Sequence, residues 1–235
     1  MKRMTAVLLV LTFVGCTRIP SEVEAKIDAI ARSTGHPWKQ WVAGVDALLA
    51  DVKELQDERL RVVCLLHFSD RMTEVDLLDP NIRSLQTAAD EMIHECVYRI
   101  PDSMCYLSGA SMEDVWDVRL KMFDWMRRQA TRLYGDGKLP KGLTRHEDGG
   151  LVIIDQSAYR RWSDRRNAYR KLTSAYNERL NYAEKRFPNP SDGKIDEDRI
   201  PELKKKIEKF LGRPMRTREQ CDEDWYSNKH EFPRW

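Results

Sequence analysis

Trp38-Lys39-Gln40-Trp41-Val42-Ala43-Gly44-Val45-Asp46-Ala47-Leu48-Leu49-Ala50-Asp51-Val52-Lys53-Glu54-Leu55 carries the cleanest period in this chain. Trp38, Trp41, Val45, Leu48, Val52 and Leu55 follow one another at intervals of 3, 4, 3, 4 and 3 residues. That is the spacing of one face of an amphipathic helix. A half-buried strand would alternate at every second residue, and this stretch does not. Its apolar face must be buried against another element, and the rest of the chain supplies mostly helices.

Upstream, Ser21-Glu22-Val23-Glu24 reads as a capping box opening a helix that runs to about Ser33, with Gly35 and Pro37 ending it. Downstream, Val62, Val63, Leu65 and Leu66 carry the apolar stripe onward. Asp79-Pro80 has proline at a first helical position, and Ile82, Leu85, Ala89, Met92 and Cys96 form the stripe behind it. Pro101 and Gly109 read as a loop. Ser111 with Asp114 caps a helix lined by Val115, Met122, Met126, Ala130 and Leu133.

Residues 135–150 break the pattern, holding five of the eleven glycines. Asp148-Gly149 followed by Leu151-Val152-Ile153-Ile154 predicts a small β-hairpin near residues 143–154. A long helix then runs from Gln156 to Phe187 and stops at Pro188 and Pro190. A short basic helix over 201–211 closes at Gly212, and Thr217 with Gln220 caps a last one. The expectation is an all-α bundle of five or six helices over residues 21–235, with 135–150 the one candidate subdivision.

The opening segment obeys a different logic. Lys2 and Arg3 precede an apolar run from Ala6 to Val14, then Gly15 and Cys16. A charged head, a short apolar body and a small residue before the cut are the layout of a secretory signal. The run is well short of the about 20 apolar residues that span a bilayer as a helix. Phe13-Val14-Gly15-Cys16 resembles the lipobox of bacterial lipoproteins, with Phe13 where leucine is usual. That resemblance implies that residues 1–15 are removed, that Cys16 receives a diacylglyceryl group, and that its amine is acylated. Residues 16–20 are then a short tether. Acyl chains anchor firmly because each buried CH₂ contributes about 0.8 kcal/mol. Thr17 stands where inner-membrane lipoproteins often carry aspartate, which points to the outer membrane, facing the periplasm or the cell surface.

Of the 40 basic residues, Lys2 and Arg3 leave with the signal, so bases and acids then balance. Global charge therefore gives no case for a nucleic-acid partner. Locally the charge is uneven. Residues 69–118 hold eleven acids against three bases, and 159–186 hold nine bases against three acids. Such blocks either face each other or leave a solvated stripe. Arg160, Arg161, Arg165, Arg170 and Lys171 are the candidates for binding a polyanion such as a phosphate-bearing polymer or lipid head groups.

With Cys16 used by the lipid, Cys64, Cys96, Cys105 and Cys221 remain, an even number in an oxidising compartment. Three pairings are possible. An antiparallel pair of helices turning near Thr73 would set Cys64 opposite Ile82, too far from Cys96. That favours Cys96–Cys105 across the Pro101 loop, and Cys64–Cys221.

Catalytic and metal motifs are weak. Glu91-x-x-His94 has di-iron spacing but no second copy, and reads as a surface ion pair. Cys64, His67, His94 and Cys96 are zinc-type residues in the wrong arrangement. Asp192, Gly193, Ile195 and Asp196 fit a calcium loop whose other ligand positions are Pro188, Pro190 and Arg199. Gly109-Ala110-Ser111-Met112-Glu113 and Ser191-x-x-Lys194 match nucleophile motifs only in part. No cofactor or metal is implied. Trp162-x-x-x-Arg166, downstream of Glu91-Met92 and Cys96, is similar to periplasmic lysozyme-inhibitor-like lipoprotein domains. The family's aspartate after the arginine is Asn167 here and no cysteine follows nearby, so that resemblance transfers no function. The expected role is binding or scaffolding in the envelope, with an envelope protein or anionic polymer as partner. The competing class is a glycan hydrolase using two carboxylates.

Overall fold

The computed structural model describes residues 18–33, 38–107 and 109–227. The signal, Cys16, Gly35, Pro37 and Trp235 lie outside the described residues. Among the described residues the chain is all-α with one two-stranded hairpin, as expected, but it is divided into more helices than the five or six the sequence predicted.

Helix α1 (Ser21–Arg32) buries Val23, Ile27 and Ile30, and α2 (Trp38–Glu54) buries Trp41, Val45, Leu48 and Val52. The expected capping box at Ser21 does not form. Pro20 holds the cap position without a side-chain bond, and Ser21 is already helical. The stripe beyond Leu55 is a separate helix, α3 (Glu58–Thr73). It is started by Asp57, which accepts from Arg59 N and Leu60 N at 2.9 and 3.3 Å.

No helix begins at Pro80. The chain turns through residues 74–84, held where Gln129 Oε1 accepts from Leu77 N (3.0 Å) and Trp125 Nε1 donates to Val75 O (2.9 Å). Helix α4 (Leu85–Met92) starts after Ser84, whose Oγ accepts from Thr87 N. Two further N–H groups, of Leu85 and Gln86, donate to the Asp164 carboxylate at 2.9 and 3.0 Å, so part of the cap comes from a distant segment.

The chain then stays helical through Pro101, where a loop was expected. A π-helical turn (Ile93–Arg99) joins α4 to α5 (Ile100–Cys105), and Ile100 N bonds to Glu95 O, five residues back. Pro101 supplies a reason. It has no N–H to give, and in a regular helix its ring would strike the carbonyl of Val97, a clash that one wide turn relieves.

Ser111 and Asp114 form the expected capping box for α6 (Met112–Tyr134). Strands β1 (Leu143–Arg145) and β2 (Leu151–Ile153) pair antiparallel, Thr144 opposite Val152. Asp155 caps α7 (Gln156–Arg186). Helix α8 (Ile200–Leu211) ends at Gly212 in the left-handed conformation, and Thr217 with Gln220 caps α9 (Arg218–Ser227).

Contacts set the directions. Glu58 lies beside Gly109, Asp70 pairs with Lys121, and Arg128 donates to Thr73 O, so α3 runs parallel to α6. Arg165 meets the last carbonyls of α6, Phe123 packs on Tyr176, and Trp116 packs on Phe187, so α7 runs antiparallel to α6. The glycine-rich stretch is thus the connection between two helices packed along each other. The hairpin closes one end of the bundle. The starts of α3 and α6 stand at the other, roughly 35 Å away along α6. Trp41, Trp116 and Trp125 are among the largest fully buried side chains.

Cys64, Cys96, Cys105 and Cys221 are not joined to one another in this structure. The expected Cys96–Cys105 pairing relied on the loop at Pro101. Along the helical path actually taken, the nine intervening steps span about 13 Å, beyond the roughly 7 Å that a disulfide bridges. Cys64 lies in α3, which packs on α1 and α6, whereas Cys221 lies in α9, which packs on α7.

Because Asp164 caps α4 from another helix, Asp164→Ala should destabilise the protein by about 1 kcal/mol, the usual worth of a lost N-cap. Urea unfolding measures it, and an unchanged midpoint would show that the cap carries no weight.

Candidate functional site

An open cleft lies at the end away from the hairpin. Its wall is the first turns of α3. Gly109 allows the neighbouring loop to reach that wall, since a Cβ there would stand 2.7 Å from Glu58 Cβ. The loop is in turn stitched to residues 193–194: Lys194 N donates to Ala110 O and Met112 N to Lys194 O, both at 2.9 Å. Gly193, at φ +103°, is required by the same approach, because a Cβ would fall 2.8 Å from Ala110 O. Between these parts is an open cleft of about 770 Å³, with Val62, Val63 and Leu66 among its lining residues and Arg59, Asp114 and Lys194 beside them.

Two of the cleft's acids are already committed. Asp57 caps α3, and Asp114 accepts from Ser111 N and Oγ at 2.9 and 2.7 Å. Ser111 is therefore a cap rather than a poised nucleophile. Arg59 and Lys194, both exposed, make no ion pair among the described residues. The partial motifs around Ser111 and Lys194 do meet here, and what they build is this bridge. Asp192, read as part of a failed calcium loop, is buried. Both its oxygens face Arg119, at 2.5 and 3.0 Å, and Oδ1 accepts from Asn189 Nδ2 at 2.9 Å.

A second unusual cluster lies inside the bundle. Glu91 is not the surface partner of His94 that its spacing suggested. It is 3% exposed, and neither carboxyl oxygen has a hydrogen-bond partner. Burial, and then the charge of Asp90, push its pKa up to about 7. Glu95, within the π turn, is fully buried and pairs with Arg99, whose Nη1 lies 2.7 Å from Oε2. Arg99 also reaches Asp46 of α2 at 2.5 Å. Burial still pushes the Glu95 carboxyl up against the lowering effect of Arg99. His94 is exposed, 3.6 Å from Glu95. Among the described residues, no group of three His, Cys, Asp or Glu side chains could hold a metal ion. Burial also pushes the thiols of Cys64, Cys96 and Cys105 upward, the last to about 11, which keeps them poor nucleophiles near neutral pH.

The basic stripe divides. Arg165 donates to Leu133 O and Arg132 O at 2.5 and 2.6 Å, closing the C-terminus of α6 where the helix dipole favours a cation. Lys171 pairs with Asp90 at 2.5 Å. Arg160, Arg161 and Arg170 are exposed and make no ion pair among the described residues. Farther along α7, Arg179 lies 3.7 Å from Asp102 and stacks on Tyr98. Burial alone would raise the Glu184 carboxyl, but Arg213 and Arg216 hold it below the usual range. The acid-rich and base-rich segments thus face each other in part.

Compared with known proteins, the chain matches no family model, no curated protein and no solved structure.

Glu91 makes stability depend on pH in a definite direction. A carboxyl whose folded pKa is about 7 against an ordinary 4.5 binds more protons folded than unfolded between those values. Its contribution is full below pH 4.5 and is lost as pH rises through 7. Relative to Glu91→Gln, the wild type should lose about 3 kcal/mol between pH 4.5 and 8. Urea midpoints at the two pH values measure this difference, and parallel profiles for the two proteins would refute it.

Proposed function

We propose that this chain is a lipid-anchored envelope protein whose helical body binds its target rather than transforming it. The observation that carries the reading is the order of the opening segment: Lys2-Arg3, the apolar run to Val14, Gly15 and Cys16. Helix α1 begins at Ser21, so few residues separate the acyl group from the folded body. The cleft at the start of α3 supports a binding role. Of the acids that line it, Asp57 and Asp114 serve as caps and Glu58 lies 3.7 Å from Arg61, whereas glycan hydrolysis needs a pair of carboxylates free to protonate and attack. Glu91 and Glu95 are buried within the bundle, and neither lines this cleft. The apolar wall of Val62, Val63 and Leu66, with Arg59 and Lys194 beside it, suits a ligand that is part apolar and part anionic.

Cys16→Ser tests the anchor. The wild type should incorporate labelled palmitate and yield a mature N-terminus at Cys16 by mass spectrometry. The variant should lose the label and accumulate as precursor. A variant that is processed normally and stays with membranes would overturn the anchor. The purified protein should also leave peptidoglycan fragments intact. Turnover abolished by substitution of a single acid would replace binding with hydrolysis.

A further inference from the structure

Strand β2 overhangs the body that β1 covers. Leu143 of β1 is buried, whereas Ile153, opposite it on the same inward face, is 41% exposed. On the outer face Val152 is 38% exposed, and Ile154, just past the strand, 75%. Both faces of β2 are therefore open to solvent.

Its outer edge offers hydrogen bonds. His146 N bonds to Gly150 O and Ile154 N to Gly142 O, so by alternation the N–H and C=O groups of Leu151 and Ile153 point away from β1. No backbone hydrogen bond reaches them from another element among the described residues. A two-stranded ribbon is marginal by itself, and an uncovered edge with apolar side chains is a template for a further strand.

This edge is its own complement. Leu151 and Ile153 flank Val152, so a second β2 can lie antiparallel about a two-fold axis at Val152. Leu151 of each copy then stands opposite Ile153 of the other, each giving and taking one backbone hydrogen bond. The same register finds a neighbour for every apolar side chain of the strand. Leu151 packs on Ile153 of the second copy on the inward face, and the two Val152 side chains meet on the outer one. Ile154 lies over Gly150 of the second copy, which has no side chain to obstruct it.

Charge agrees with that direction. The turn carries Glu147 and Asp148, and the base of the hairpin carries Lys141, Arg160 and Arg161, all exposed. Acids are present at the base as well. Asp136 pairs with Lys138 at 3.5 Å, and exposed Asp155 stands against the three cations, so the base stays positive. Arg145, within β1, favours neither end. An antiparallel pair puts the acidic turn of each copy beside the basic base of the other, whereas a parallel pair joins like ends. A strand of another protein could use the edge but has no reason to match these charges.

We propose that two copies of this chain associate through the outer edges of β2, joining their hairpins into one antiparallel four-stranded sheet. Strands of three residues bury far less than the about 800 Å² per partner of a stable complex, so the dimer is weak and forms at high local concentration. Confinement to a membrane plane, as the lipid-anchored reading implies, raises that concentration, but the pairing does not depend on it.

The test uses the full chain in a non-ionic detergent, which masks any acyl group, at concentrations up to millimolar. Val152→Cys gives the sharpest readout. The two Val152 Cα atoms lie about 4.5 Å apart in this register, within disulfide reach, whereas Thr144 of β1 stands three strand spacings, about 14 Å, from its counterpart. Mild oxidation should join Val152→Cys into a dimer at least about tenfold faster than Thr144→Cys, with the parent protein as the blank. Ile153→Pro removes an outward N–H without breaking a bond to β1. It should weaken the dimer about tenfold in sedimentation, with circular dichroism unchanged. Glu147→Lys and Arg160→Glu/Arg161→Glu should each weaken it, and the three changes together should restore it. A chain that stays monomeric, equal cross-linking at the two sites, or a dimer untouched by Ile153→Pro or by the separate charge reversals overturns the proposal. So does amide exchange at Leu151 and Ile153 that slows only when an envelope extract is added, which assigns the edge to a strand of another protein.

Discussion

Helix α7 meets its neighbours through polar contacts spaced along its length, and their spacing determines how the bundle is assembled. Asp164 takes the first N–H groups of α4, Arg165 the last carbonyls of α6, and Lys171 the Asp90 carboxylate. Near the other end, Arg213 and Arg216 close on buried Glu184, while Asn181 donates to Cys221 O. The exposed pairs among these stabilise little, typically under about 1 kcal/mol each. Their weight is in register. Apolar stripes can slide by a turn at modest cost, whereas a helix end that loses its partner leaves bare N–H or C=O groups. Between the polar contacts, Tyr169, Leu172, Tyr176 and Leu180 supply the apolar burial.

Beside that frame, the α4–π–α5 segment is the discordant part. It holds Glu91 without a partner, Glu95 fully buried, and a wide turn ahead of Pro101. A neutral Glu91 costs far less to bury than an ionised one, so the interior tolerates it mainly as the acid. Arg99 links the same segment to α2 through Asp46, so the N-terminal helices are coupled to this region.

The cleft and the hairpin stand at opposite ends of α6. The cleft is assembled where α3 and α6 begin, and the hairpin where α6 ends and α7 starts. Each surface is built from short loops held by rigid helices, with Gly109 and Gly193 permitting the close approach on one side and the Asp155 cap fixing the hairpin's exit on the other.

By itself the sequence determined the helical class, the Ser111–Asp114 cap, the hairpin and the extent of α7, because each depends on near neighbours in the chain: a period, a capping side chain, a turn dipeptide. Tertiary structure decided the rest. Nothing near Pro80 says that α4 waits until Leu85, because Asp164, which caps it, is 79 residues away from Leu85. The π turn comes from a proline continuing a helix that packing keeps intact, and locally Pro101 looks like a stop. Glu91 reads as a surface acid because its apolar neighbours share a stripe with it only once both sides of the helix are covered. The cleft joins residues 56–59, 62, 63 and 66 with 109, 114 and 194, and no spacing rule links them. A local pattern fixes what a segment becomes, whereas the positions of its neighbours determine which of its polar groups remain free to act.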